Sequence, residues 1–242
     1  MVNILNWLFG QYADYPALFI GLELVAVTCG VVSVLLASRL NVLVFPVGLI
    51  STAIFVYLLW QWQLFGDMFI NAYYSVMSLY GWFNWTMNKD LDKNNTNNTA
   101  EKSSISEIQV EHINKQDLPI LALLATATVA FVALIYYFRP VINNNFSFEG
   151  VILNLELFTW VDYVDMLTTA LFLMAMWLMA KRKIEHWLLW IVADAISVPL
   201  YFYKGLTFTA IQYLVFTVIA IWAYYEWQQR YRQQTQFSTA YA

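Results

Sequence analysis

The strongest constraint in this sequence is the stretch from Glu185 to Trp227, which consists of two apolar runs separated by Lys204 and Gly205. A bilayer core about 30 Å thick is crossed by roughly 20 apolar helical residues, so each run is long enough to span it. Glycine favours a tight reversal of the chain between the runs. The stretch therefore predicts a helical hairpin in lipid.

The rest of the chain has the composition of a polytopic membrane protein. Of its 242 residues, 61% are hydrophobic and 12% are charged, whereas an average soluble domain is about 25% charged. Five further apolar runs predict an all-α membrane protein with seven transmembrane helices. Cys29 is the only cysteine, which excludes an intramolecular disulfide. No motif for an enzyme, a metal or a cofactor surrounds His112 or His186, and nucleic-acid binding has no support.

Changes in composition divide the chain into six segments. The linker among them is rich in Asn, Thr, Ser, Lys and acidic residues and is expected to be solvated, because it cannot bury a core. The segments are an N-terminal amphipathic segment (1–15), a three-helix repeat (16–87), a cytoplasmic linker (88–117), a connecting transmembrane helix (118–138), a second three-helix repeat (150–227) and a polar cytoplasmic tail (228–242).

The basic residues predict which side of the membrane each loop faces. With seven spans, ten Lys and Arg residues fall on one side, and only Arg139 and Lys204 fall on the other. Loops rich in Lys and Arg stay in the cytoplasm. We therefore expect the N-terminus outside and the C-terminus in the cytoplasm.

The first and last thirds of the chain predict an internal repeat. The ungapped register that places Trp85 on Trp227, called the repeat register below, also sets the intramembrane acid Glu23 on Asp165. Three crossings reverse the direction of the chain, so one extra crossing must lie between two parallel copies. The fourth span supplies that crossing, which gives a 3+1+3 order of the kind found in SWEET proteins.

Two stretches carry a resemblance to a known family. The run WLLWIVADAISVPLYFYKGL at 187–206 and the run LYGWFNW at 79–85 resemble the PnuC family of bacterial vitamin-precursor transporters, whose best known substrate is nicotinamide riboside. The resemblance implies a 3+1+3 fold, facilitated diffusion, a homo-oligomer (a trimer), the bacterial inner membrane, and a cytoplasmic kinase that traps the substrate by phosphorylation. Related members carry riboflavin or thiamine. The family commonly has an amide where this chain has Asp194, and Gln where it has Asn71.

Four side chains of the sixth span lie on one stripe of the helix. Trp187, Trp190, Asp194 and Tyr201 are three, four and seven residues apart, so they share a face. A carboxyl group at membrane depth costs roughly 2.5 to 3.5 kcal/mol on insertion scales and usually faces a protein interior or a water-filled cavity. The stripe is therefore predicted to bind substrate. The structural alternatives are an interfacial role for Trp187 and an interhelical hydrogen bond for Asp194.

Further substrate-binding candidates come from the other spans of the two repeats. Polar side chains in lipid join helices as readily as they bind a ligand, so a structural role stays open for each of them. The acids in the first and fifth spans form either a pair along the outer half of the path or separate ties to neighbouring helices. These candidates are Glu23, Asn71, Tyr74, Ser78, Asp165, Gln212 and Phe216.

Nicotinamide riboside has the chemistry that this set of side chains complements. It joins a cationic pyridinium ring to a carboxamide and ribose hydroxyls. Aromatic faces attract a cation by roughly 0.5 to 2 kcal/mol, and acid and amide groups complete the match. The expected function is uptake of nicotinamide riboside by facilitated diffusion with alternating access between the repeats. The alternatives are a proton- or ion-coupled transporter, or a carrier of riboflavin or thiamine.

Overall fold

The structure, a computed structural model, describes residues 16–62, 65–96, 109–203 and 207–240. The predicted amphipathic segment 1–15, the predicted turn at Lys204 and Gly205, and linker residues 97–108 lie outside these ranges. Within them the chain forms seven α-helices. In chain order they are α1 (Ala17–Ser38), α2 (Val44–Gln61), α3 (Phe65–Thr96), α4 (Leu118–Asn143), α5 (Trp160–Ala180), α6 (His186–Tyr203) and α7 (Thr207–Ala240).

The helix lengths fit a membrane bundle. Five helices, α1, α2, α4, α5 and α6, are long and apolar enough to cross a bilayer. Helices α3 and α7 have 32 and 34 residues, so at 1.5 Å per residue they extend about 48 and 51 Å. Both are therefore longer than a membrane core needs. The all-α class with seven helices is confirmed, and the 3+1+3 order stays a prediction.

Two helix boundaries differ from the sequence-based ones. Helix α5 begins at Trp160 rather than near Leu155, because Asp162 Oδ2 accepts hydrogen bonds from the backbone N–H and the hydroxyl of Thr159 at 2.8 and 3.0 Å. Helix α4 continues past 138 to Asn143 with a proline inside it. The extra turn carries Arg139, whose guanidinium donates to both carboxylate oxygens of Asp162 at 2.9 and 3.4 Å.

The turns that join α1 to α2 and α5 to α6 have the same backbone conformation. Leu40 and Arg182, which the repeat register pairs with each other, adopt the left-handed region with φ of 54° and 61°. In each turn the next residue, Asn41 or Lys183, donates its N–H to the carbonyl five positions earlier, at 3.0 and 2.9 Å. This is the bond pattern of a helix end closed by one left-handed residue. Local structure thus recurs at the spacing that the sequence repeat predicts.

Two fully buried tryptophans cross-link the halves of the bundle reciprocally. Trp85 Nε1 donates to the carbonyl of Met179 at 3.1 Å, and Trp227 Nε1 donates to the carbonyl of Ala37 at 3.0 Å. The repeat register pairs the two donors with each other and the two acceptors with each other, and the two rings lie 5.9 Å apart between centroids. Each half therefore caps a helix end of the other, which supports the predicted repeat.

The end of the linker packs against the α5–α6 turn. Glu111 exchanges backbone hydrogen bonds with this turn and accepts a hydrogen bond from Lys183 Nζ at 2.8 Å. Burial alone would lower the pKa of Lys183, but the hydrogen bond and the charges of Glu111 and Asp117 outweigh it and hold that pKa above its usual value. Val110 is only 3% exposed. Linker residues 109–117 thus differ from the fully solvated linker expected from composition.

We expect Gly81→Ala to destabilise the protein through the packing of α2 on α3. A methyl group at Gly81 would overlap the ring of Phe45, which is itself buried edge-on against Trp85. Overpacking of this kind costs about 1 to 3 kcal/mol, and thermal unfolding in detergent measures it. Gly21→Ala is the matched control, since nothing lies within 4 Å of its added methyl. Equal melting temperatures for the two variants would contradict this expectation.

Candidate substrate-binding cavity

A cavity of about 250 Å³ lies in the interior of the bundle. Six helices contribute to its wall, and α4 contributes none of the described lining residues. Eight of the eleven predicted substrate-binding residues line it. These eight are Asn71, Tyr74, Ser78, Trp187, Trp190, Asp194, Gln212 and Phe216.

The α6 stripe brings a carboxylate and two indole rings to the cavity. Asp194 is 2% exposed, and its Oδ1 is buried without a hydrogen-bond partner among the described residues. Within the same part of the chain, the indole N–H of Trp187 is also buried and unpartnered. Buried polar atoms in folded proteins are normally paired. Both atoms belong to side chains that line the cavity, and neither is paired within the described residues.

Stacked aromatic rings form one side of the cavity. Tyr213 lies parallel to Phe172, with centroids 5.9 Å apart and planes at 17°. Phe172 in turn contacts Trp190 at 5.3 Å, and Trp190 contacts Tyr74 at 6.3 Å. Tyr201 does not line the cavity but stacks on Tyr213 from behind at 5.1 Å. Tyr201, which was predicted to bind substrate, is therefore separated from the cavity by the ring of Tyr213.

Helices α1 and α2 contribute small residues as well as valines and phenylalanines to the cavity wall. Gly30 and Gly48 line the cavity, and the repeat register equates them with Phe172 and Trp190. One half therefore has glycine where the other half has an aromatic ring. These glycines lie where the helices of the first half pack closely, since an added Cβ at Gly30 would be 3.2 Å from Ser51 Oγ and one at Gly48 would be 3.6 Å from Ser33. The cavity wall is therefore not symmetric between the two halves.

Most hydroxyl groups of α1 and α2 that line the cavity already form hydrogen bonds within the protein. Ser51 Oγ donates to the carbonyl of Ala26 at 2.7 Å, and Thr52 Oγ1 shares a hydrogen bond with Ser75 Oγ at 2.8 Å. The amide nitrogen of Asn71 donates to the carbonyl of Asp67 at 2.9 Å within α3. These groups give this side a polar character, while the unpartnered acceptor and donor lie on α6.

The structure does not bring Glu23 and Asp165 to the cavity wall. Asp165 Oδ2 accepts a hydrogen bond from Tyr136 of α4 at 2.9 Å, which ties α5 to α4. Glu23 is half-buried on α1. Both acids lie on turns of their helices that precede the lining residues, and their part in a substrate path stays a prediction.

Several lining residues were not among the predicted ones, chiefly Phe172, Tyr213 and the small residues of α1 and α2. Phe172 and Tyr213 sit among other apolar and aromatic residues, so nothing local distinguishes them. The small residues did leave a signal. Gly30, Ser33 and Ala37 recur at three- and four-residue spacing along one face of α1, a pattern typical of close helix packing in membranes.

The charge of the cavity wall is simple. Among the described lining residues, Asp194 is the only acid, and no Lys, Arg or His is present. The described ranges also include no group of three His, Cys, Asp or Glu side chains that could hold a metal ion. The arrangement suits a flat, cationic or hydrogen-bonding ligand that enters between the rings and meets the carboxylate.

Comparison with known proteins gives consistent results. A family model described as "Nicotinamide mononucleotide transporter" matches residues 20–229. The nicotinamide riboside transporter PnuC of Escherichia coli strain K12 is 24% identical over 211 residues, which cover 83% of this chain and 82% of the relative. The riboflavin/roseoflavin transporter RibM of Streptomyces davaonensis is 22% identical over 232 residues, 96% of each chain. A crystal structure of the vitamin B3 transporter PnuC matches with a TM-score of 0.58 and 17% identity, covering 95% of this chain and 88% of that chain, which confirms the fold.

Proposed function

The chain belongs to the nicotinamide mononucleotide transporter family, and from that premise we propose that it carries nicotinamide riboside across the bacterial cytoplasmic membrane by facilitated diffusion. It is a membrane transporter, not an enzyme. The observation that carries the choice of substrate is Asp194, a buried carboxylate with an unpartnered oxygen in a cavity whose described lining holds no cation.

The ligand supplies what the cavity lacks. The pyridinium ring is flat and positively charged, so it can lie against Trp190 and Phe172 while its charge offsets that of Asp194. Its carboxamide oxygen can accept a hydrogen bond from the indole N–H of Trp187. The ribose hydroxyls suit Gln212 and the polar side of α2. The cavity volume of about 250 Å³ suits a ligand of nucleoside size.

Transport by alternating access would require the cavity to open to each side in turn. Trp85 and Trp227 form the packed layer beside the α1–α2 and α5–α6 turns, where each ring hydrogen-bonds a helix end of the other half. We assign this layer to the cytoplasmic side, in agreement with the positive charge of the neighbouring loops. Opening toward the cytoplasm would separate the two tryptophan hydrogen bonds. The N-terminus would then be outside and the C-terminus inside.

Partners of the transporter follow from the resemblance rather than from the cavity. A cytoplasmic kinase would trap the riboside by adding a phosphate. A carrier without a phosphate site cannot return the phosphorylated riboside to the outside. A homo-oligomer, a trimer by family resemblance, would place the bundle beside copies of itself in the bilayer. Crosslinking in native membranes would measure the number of subunits.

The proposal is tested by calorimetric titration of the purified protein with nicotinamide riboside, riboflavin and thiamine. We expect nicotinamide riboside to bind most tightly. Riboflavin is the informative competitor because one relative is a riboflavin/roseoflavin transporter and because its ring carries no positive charge to offset Asp194. Tighter binding of riboflavin would overturn the assignment, and tighter binding of thiamine would keep the cationic class but change the vitamin.

Facilitated diffusion has its own test. Liposomes that contain the protein and no kinase should fill with nicotinamide riboside only to the outside concentration when no ion gradient is imposed. Accumulation above that concentration driven by sodium or by an inward proton gradient would favour the ion-coupled alternative, for which Asp194 is the candidate coupling group.

We expect Asp194→Asn to weaken binding of nicotinamide riboside by about tenfold. That is the lower end of the roughly 1 to 3 kcal/mol associated with loss of a charge-assisted contact, because Asn keeps the shape and part of the hydrogen bonding. The variant should fold. Affinity and melting temperature are measured on the same sample. An unchanged affinity with a lowered melting temperature would make Asp194 a structural brace and remove it from the site.

A further inference from the structure

Phe172 is the one aromatic residue that α5 contributes to the described cavity lining. Its ring contacts an aromatic ring on each of the next two helices, Trp190 of α6 at 5.3 Å and Tyr213 of α7 at 5.9 Å between centroids. Both of these neighbours also line the cavity. The phenyl ring of Phe172 therefore occupies a space that borders the cavity and two further aromatic rings.

Phe172 contributes shape to the cavity and nothing else. The charge of the described lining comes from Asp194 on α6. The other described lining residues of α5 are Met176 and Met179, whose unbranched side chains adapt to whatever packs against them. A phenyl ring is rigid and has no polar atom, so a change at Phe172 alters the shape of the cavity while its charge stays the same.

The two halves of the protein differ most in side-chain size at this position. The repeat register pairs Phe172 with Gly30, where α1 packs closely on α2, since an added Cβ would be 3.2 Å from Ser51 Oγ. In the second half a whole ring takes the place of that close approach. The same helix arrangement thus accommodates either no side chain or a phenyl ring here, so the size of this side chain can vary without loss of the fold.

We propose that Phe172 determines the width of the aromatic ring that the protein accepts: a single pyridinium ring fits, and fused two- and three-ring ligands are excluded. This rests on the proposed function, in which the pyridinium ring lies against Trp190 and Phe172. Because Phe172 lines the cavity, the space that its ring would leave joins the cavity rather than forming a sealed void. Trp190 and Tyr213 border that space and offer their rings to a wider ligand.

A series of N-methyl cations tests ring width at constant charge. N-methylpyridinium, N-methylquinolinium and N-methylacridinium have one, two and three fused rings, and each carries a single positive charge. Each cation competes with nicotinamide riboside for the purified full-length protein, so that only occupancy of the shared site is measured. For the wild type we expect the one-ring cation to bind at least about tenfold more tightly than the three-ring cation, because the phenyl ring of Phe172 blocks the outer rings.

Phe172→Ala should reverse this order. The three-ring cation should gain about tenfold in affinity, while nicotinamide riboside loses affinity because one contacting ring is gone. Phe172→Tyr keeps the ring and should keep the wild-type order. Phe216→Ala is the matched comparison, since Phe216 also lines the cavity with a phenyl ring but lies outside the stack of Trp190, Phe172 and Tyr213. We expect the Phe216 variant to keep the wild-type order of the three cations.

Three results would overturn the proposal while leaving the proposed function intact. The wild type could bind all three cations equally, the folded Phe172→Ala variant could keep the wild-type order, or Phe216→Ala could reverse the order as well. If the melting temperature shows that the Ala variant does not fold, Phe172→Leu takes its place, and an unchanged order in that variant has the same meaning. Failure of the proposed function looks different, because then nicotinamide riboside does not bind the wild type at all.

Discussion

Nicotinamide mononucleotide is expected to bind at least 100-fold more weakly than nicotinamide riboside, although the family description carries the name of the mononucleotide. The two ligands differ by one phosphate, which bears a charge of about −1.5 to −2 at pH 7. The described cavity lining contains no Lys, Arg or His to accept that charge. It does contain Asp194, which repels it. Burying a phosphate without a partner costs more than the ring contacts return.

Competition binding of the two ligands to one protein sample measures this difference in affinity. Phosphatase treatment of the mononucleotide is the matched control, because it converts the weak ligand to the strong one in the same solution. Equal affinity of the two ligands would show that the phosphate reaches water or a cation outside the cavity wall. That result would contradict the expectation that the phosphate charge weakens binding.

Trp190→Ala should weaken binding of nicotinamide riboside by at least 30-fold, or about 2 kcal/mol. Trp190 lies in the aromatic wall between Phe172 and Tyr74, at 5.3 and 6.3 Å. Removing its indole takes away the largest flat surface in the middle of that wall and widens the cavity. Trp190→Phe should recover most of the affinity, because a smaller ring still offers a face to the cation.

Trp222→Ala is the matched control for this change. Trp222 is 45% exposed on α7 and does not line the cavity. Its removal should leave the affinity of the folded protein unchanged, whatever it does to insertion in lipid. If the Trp222 and Trp190 variants lose affinity equally, the loss reflects a general effect on folding, and the aromatic wall is not the binding surface.

The membrane class and the helices were predictable because they depend on local and additive properties. Apolar length specifies a span wherever it occurs in the chain, and polar residues at membrane depth stand out because they are costly. The α6 stripe was predicted for the same reason, since side chains three, four and seven residues apart share a helix face regardless of their neighbours. Seven helices and eight lining residues followed from these rules.

The linker shows where composition fails. Residues 109–117 are polar, and polarity predicts solvation. Yet Val110 is buried and Glu111 pairs with Lys183, because the α5–α6 turn offers backbone hydrogen-bonding groups and a cation to this part of the linker. That complementarity depends on a partner 72 residues away in sequence. No local pattern in the linker contains it.

The sequence by itself determined the number of helices, the repeat spacing and the face of α6 that carries Asp194. Only the tertiary structure decided that Gly30 and Gly48 line the same cavity as Phe172 and Trp190, that Tyr201 stacks on Tyr213 outside the lining, and that Asp165 accepts a hydrogen bond from Tyr136. The physical reason is that a cavity is the volume left between helices. Its shape depends on how large and small side chains from different helices meet, and that depends on interhelical packing rather than on the order of residues along any one helix.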